Sequence, residues 1–184
     1  MKSIAKILFF SALLAVILTS CLTVEKKEYT FHFTGKNSGT LTIKYYNIIS
    51  VKNDTIDESE KDFQDLVSNF MNGDEIEKSY PNAMNIHKRI FEENGMLCGE
   101  VTMDFENIAS VKLYRHEDKG PYMLLISGPD QEKYASSNGQ YGGDIMPVVF
   151  WPEGTKELKL TCDVTPPDQT TTSLLGQFKL REKK

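Results

Sequence analysis

Cysteine is scarce in this chain, with three in 184 residues, and no two of Cys21, Cys98 and Cys162 form a C-x-x-C pair. That removes zinc-ribbon and thioredoxin-like chemistry. Catalytic signatures are missing too: there is no G-x-S-x-G elbow, no G-x-x-x-x-G-K-[ST] loop and no H-E-x-x-H helix. Histidine occurs three times, at His32, His87 and His116, on separate predicted elements and without ligand-like spacing. Surface histidines are expected rather than a metal site. Positive charge is also in deficit, with 21 Lys and Arg against 26 Asp and Glu and a formal net charge of −5. That balance speaks against nucleic acid as a partner. No internal repeat is present, and after Cys21 no apolar run approaches the roughly 18 residues of a spanning helix. Neither a cofactor nor an enzymatic activity is expected. The rival reading is an exported hydrolase whose residues meet only in three dimensions.

What the chain does possess is a distinctive front end. Met1 to Cys21 reads MKSIAKILFFSALLAVILTSC, with Lys2 and Lys6 ahead of a mostly apolar run from Ile7 to Leu18. A basic start, a short apolar stretch and a small-residue exit describe a secretory signal peptide. As a helix that run is roughly 18 Å long, too short for a hydrocarbon core of about 30 Å. The tetrad Leu18-Thr19-Ser20-Cys21 resembles the lipobox of bacterial lipoproteins. Small side chains there admit the backbone to a protease cleft, and a thiol is the nucleophile that accepts the lipid.

The resemblance implies cleavage before Cys21, a diacylglyceryl thioether on its sulfur and, in many bacteria, a further palmitate-like chain on its amine. Two or three chains hold far more firmly than one, since each buried CH₂ contributes about 0.8 kcal/mol. It therefore implies a cell-envelope protein whose membrane attachment is the lipid on Cys21. Leu22, rather than aspartate, follows the cysteine, which favours an outer membrane where one exists. The plainer alternative is an ordinary signal peptide with Cys21 a bystander. The expected organisation is a leader over 1–20, a lipidated polar tether over 21–28, one β-rich domain over 29–164, and a linker with a basic tail over 165–184. Residues 1–20 hold two lysines and no acid, so the remainder is more acidic still.

Within the domain, Tyr29-Thr-Phe31-His-Phe33 alternates aromatic and polar residues, and Thr40–Val51 resumes that period of two after Gly35–Gly39. The two stretches predict an antiparallel hairpin. Phe63, Leu66, Val67, Phe70 and Met71 form one apolar stripe at helical spacing, which predicts a helix over about 58–72 packed on a sheet. Asp57 or Ser59 with Glu60 or Asp62 suits its start, and Gly73 its end. Asp74–Asn85, holding Pro81, reads as a connector.

Asn94-Gly95 is the strongest hairpin signal, because a type I′ turn needs positive φ at both central residues. Counting outward pairs Glu93 with Met96, Ile90 with Gly99, Arg89 with Glu100, His87 with Thr102 and Ile86 with Met103. Cys98 then lies beside Phe91 on the mostly polar face. Val111–His116 and Tyr122–Ile126 read as further strands, and Ser127–Met146 as a patternless loop. Pro147–Trp151 and Lys156–Val164 read as a closing hairpin that points Cys162 inward. With Cys98 and Cys162 in opposite phases, two free thiols are expected, a disulfide being the alternative. The fold class expected is α+β, an antiparallel sheet of about seven strands, curved or sandwich-like, carrying one helix.

Two groups of residues are candidates for binding. Tyr134, Tyr141 and Trp151 interleave with Gly, Ser, Asn and Gln in the manner of a surface that takes glycans, peptides or lipid head groups. The alternative is that Trp151 packs at a strand end and the tyrosines pin a loop. Asp54, Asp57, Glu58 and Glu60 lack the glycine and terminal glutamate of an EF-hand, so a solvated turn and helix cap is expected there instead of calcium. From Thr40 to Leu113 the order is a TLTI strand, an amphipathic helix ending in Gly73, and a strand pair crossing Asn94-Gly95 into GEVTMDF. This resembles the layout of the mycobacterial LppM-type lipoprotein domain, a β-rich envelope module linked to lipid binding. The likeness covers under half of the mature chain and carries over no functional residue. It implies a binding or assembly module, with a lipid, a glycan or an envelope protein as its partner.

Overall fold

A computed structural model describes residues 22–52, 57–126, 132–164 and 170–183. The leader, Cys21, Asp54 and residues 165–169 of the linker expected from sequence lie outside the described residues. The strands in chain order are β1 (Leu22–Phe33), β2 (Gly39–Val51), β3 (Met84–Glu93), β4 (Met96–Phe105) and β5 (Tyr122–Leu125). They continue with β6 (Lys133–Ser137), β7 (Gln140–Tyr141), β8 (Val148–Trp151), β9 (Glu157–Asp163) and β10 (Thr171–Ser173). The helices are α1 (Ser59–Asp65), which runs on in π-helical geometry over Leu66–Met71, then α2 (Glu75–Ser79) and α3 (Leu175–Glu182).

The chain is α+β. A large antiparallel sheet has the order β3-β4-β2-β1-β9-β6, with β10 added on β2, and a second sheet of three strands has the order β5-β8-β7. Alternation places Phe31 and Phe33 of β1, Leu41 and Ile43 of β2, and Val101, Met103 and Phe105 of β4 on one interior face. There they meet Tyr122, Leu124, Val149 and Trp151 of the small sheet. At the other end a second apolar cluster joins Val24, Ile48, Leu97 and Val164 to Phe63 and Leu66 of the helix and to Leu174 and Phe178 near the C-terminus. Between the clusters the inward phase of β2 shifts from odd positions (Leu41, Ile43) to Ile48. Asn47, at φ 52°, marks the change; asparagine tolerates that left-handed region better than most residues.

The hairpin readings hold in detail. Asn94 and Gly95 have φ of 52° and 76°, the positive pair a type I′ turn requires. The ladder pairs Glu93 with Met96, Arg89 with Glu100 and His87 with Thr102, and Arg89 reaches Glu100 at 2.8 Å. Ile86 does not face Met103 as expected, because a bulge between Met84 and His87 shifts the register around Asn85, at φ 51°. The Asp104 carboxylate accepts from Asn85 at 2.8 Å and from Thr40 at 3.0 Å, which fixes that bulge.

Several expectations are corrected. The tether is no tether: Leu22–Glu28 is the first half of β1, paired from Leu22↔Ser50 onward with β2 and from Lys26↔Asp163 onward with β9. The C-terminal stretch is no solvated tail either. Leu174 is buried, Phe178 nearly so, and α3 is tied down by Gln177 donating to Ser59 and by Lys179 on Glu92, both at 2.8 Å. The connector after Gly73 contains α2, and in place of a strand over Val111–His116 a 3₁₀ turn, Ile108–Val111, is followed by a single bridge, Tyr114↔Met123. The supposed loop Ser127–Met146 contributes β6 and β7; the large sheet has the seven strands expected, and the three-stranded sheet is additional to it. β8 and β9 are no hairpin, because β8 joins the small sheet and β9 the large one. At the helix start the Asp57 carboxylate accepts from the Ser59 amide at 3.0 Å, while Asp62 is buried and bonded to the Ser50 hydroxyl.

Candidate functional site

The helices and the small sheet cover different parts of the large sheet, and they do not close on each other. A cavity of about 400 Å³ remains between them, within the range of small-molecule sites. Its floor is the large sheet, with Phe31, Tyr45, Gly99 and Val101; its roof is Leu66, Phe70, Ile76 and Tyr80; its far wall is Val111, Leu124 and Ile126. Phe70 and Tyr45 touch both apolar clusters, so they stand where the two covering layers part. Gly99 deepens the floor: a Cβ there would lie 3.2 Å from Ile48 Cδ1.

One wall is polar and deeply set. Lys27 Nζ lies 2.9 Å from Glu132 Oε1, with side-chain exposures of 11% and 14%, and the Tyr29 hydroxyl donates to the same oxygen at 2.8 Å. Burial first, and then the Glu132 charge, drives the Tyr29 phenol far above its usual range. Cys162, opposite Lys27 in the β1–β9 ladder, is pushed up to about 12, again by burial first and by the Glu132 carboxylate second. Lys88, on the adjoining wall, donates to the Gly73 carbonyl at 2.8 Å and to Glu77 at 2.8 and 3.0 Å, which holds Glu77 below the usual carboxylate range. Lys112 lies 4.5 Å above the Tyr80 ring. Lys27 and Lys88 are thus each matched by a carboxylate, Glu132 and Glu77; Arg89 and Glu100 pair with each other one residue out of phase with Lys88 and Val101, so their side chains take the other face of the sheet.

Of the two readings of the aromatic trio, packing is the one the structure matches. Trp151 is fully buried, with its indole N–H on Asn138 Oδ1 at 2.8 Å, and Tyr134 and Tyr141 stack on each other at 4.0 Å. The trio is packing, and it lies outside the cavity lining. Cys98 and Cys162 are free and buried. Cys98 shares the face of Phe91 as expected, yet that face is closed above it: Cys98 has no exposed surface. Among the described residues no group of three His, Cys, Asp or Glu side chains is placed to hold a metal ion, and no helix is long and apolar enough to cross a membrane. Sequence reasoning missed the cavity. The one local signal was Lys27, a charge in phase with Tyr29 and Phe31 on a strand that buries that face. Comparison with protein-family models, with curated proteins and with solved structures returns no match.

Proposed function

We propose that this chain is a lipid-anchored bacterial envelope lipoprotein whose domain binds an amphipathic, anionic ligand without transforming it. The observation that carries the reading is the cavity itself: apolar side chains around about 400 Å³, with Lys27, Lys88 and Lys112 where its lining is polar. Hydrocarbon suits the Phe31, Phe70, Val101 and Leu124 surfaces, and a phosphate or carboxylate suits the Lys112 side. The lipobox-like tetrad ending at Cys21 supports the anchor, and the likeness to the LppM-type layout points the same way. Against the hydrolase alternative, Cys162 beside Glu132 is held as the protonated thiol, where a nucleophile would need the thiolate. The glycan or protein adhesion reading loses its motivation with Trp151 inside the core.

A direct test is equilibrium binding of a fluorescent long-chain fatty acid to the domain lacking residues 1–21. Saturable binding that Val101→Phe weakens by roughly tenfold or more, about 1.4 kcal/mol, is the expected result. Absence of binding in a folded wild-type domain would overturn the assignment of the cavity.

A further inference from the structure

The loss of the tether has a consequence for how the cavity meets the membrane. Seven residues of free chain, Leu22–Glu28, would let the domain stand up to roughly 25 Å from its anchor. Instead β1 starts at Leu22, already paired with Ser50, so Cys21 is one residue, at most about 3.8 Å along the backbone, from the rigid sheet. Leu22, Thr23 and Val24 also line the cavity. The end of the cavity and the attachment point of the lipid are therefore the same few residues of one strand.

We infer that the Leu22 end of the cavity is held against the bilayer surface and takes an acyl chain of a bilayer phospholipid directly from it, without passage through water. The inference rests on the lipid anchor and on the cavity as a chain-binding site. Two physical terms favour this route. A chain that moves from a bilayer into an apolar cavity without crossing water never exposes its CH₂ groups to solvent. A domain tied by a single residue also holds the cavity mouth at a high effective concentration of bilayer lipid, which a longer link dilutes. The lining also includes exposed residues away from that end: Ser79, Lys112 and, at the far wall, Leu125, 58% exposed. That wall lies beyond the Lys27–Glu132 pair, and Lys27 is five residues, roughly 17 Å, along β1 from Leu22.

The experiment uses the full-length, natively acylated protein in vesicles of phosphatidylethanolamine and phosphatidylglycerol that contain a self-quenched fluorescent-acyl phospholipid. Uptake into the protein is read as dequenching. It is compared between the wild type, a variant with about 20 Gly/Ser residues inserted between Cys21 and Leu22, whose root-mean-square reach is about 25 Å, and Leu125→Glu. The expected result is that the insertion slows uptake roughly tenfold or more, and by a larger factor than Leu125→Glu does. Equal uptake with and without the insertion overturns the inference, as does loss of uptake in Leu125→Glu alone, which would place entry at the far wall. Fatty-acid binding by the domain lacking residues 1–21 separates the two levels. If it persists, only the membrane-facing entry has failed; if it is absent, the cavity reading has failed and this inference with it.

Discussion

At the scale of single residues, the Lys27–Tyr29–Glu132 group is the most consequential arrangement in the molecule. Lys27 and Tyr29 both donate to one oxygen of a nearly buried carboxylate, in surroundings that favour neutral phenol and thiol next door. The same burial gives a testable pH dependence. An unfolded cysteine ionises near its usual 9.0, whereas folded Cys162 keeps its proton to about 12. Between those values the native state binds more protons, so its stability is complete below pH 9 and declines as pH rises towards 12. Tyr29, raised in the same direction from 10.0, adds to the decline. Urea denaturation across pH 8 to 11 should show it, and Cys162→Ala should flatten the curve; an unchanged slope in that variant would remove Cys162 from the account.

At the scale of elements, local chemistry explains what forms and long-range packing explains where it goes. The β3–β4 hairpin follows from Asn94-Gly95, the Arg89–Glu100 pair and strict alternation, all of them contacts between near neighbours in sequence. The helix over 59–71 follows from its apolar stripe, although only Phe63 and Leu66 of that stripe are fully covered, because Phe70 and Met71 line the cavity. The placement of α3 could not be read in this way. FKLREKK looks like a solvated tail until Leu174 and Phe178 are seen to complete the second apolar cluster. Phe178→Ala should therefore cost about 3 kcal/mol in chemical denaturation. A change under about 0.5 kcal/mol, typical of an exposed position, would return the segment to the status of a tail.

At the scale of the whole molecule, the domain is a large sheet covered twice, by helices at one end and by a small sheet at the other, with the cavity left at the seam. Its first strand begins where the lipobox-like tetrad ends, so the proposed anchor at Cys21 and the cavity would be joined through β1. The anchor is open to a simple check. Cys21→Ala should move the protein from the detergent phase to the aqueous phase on Triton X-114 separation and abolish labelling by a palmitate analogue; partition into detergent without the cysteine would refute it.

Sequence alone determined the features that depend on neighbours along the chain. These are the β1–β2 hairpin, the β3–β4 hairpin with most of its register, the amphipathic helix, the antiparallel α+β character, and opposite phases for Cys98 and Cys162. Each is written in a turn residue, a period of two or a period of 3.6. Tertiary structure decided everything set by distant partners. Lys27 meets Glu132 across a separation of 105 residues, β8 leaves β9 for another sheet, and Trp151 enters the core instead of meeting a ligand. The cavity belongs to this second kind, for a void is a property of surfaces that fail to meet, and no single stretch of chain encodes it.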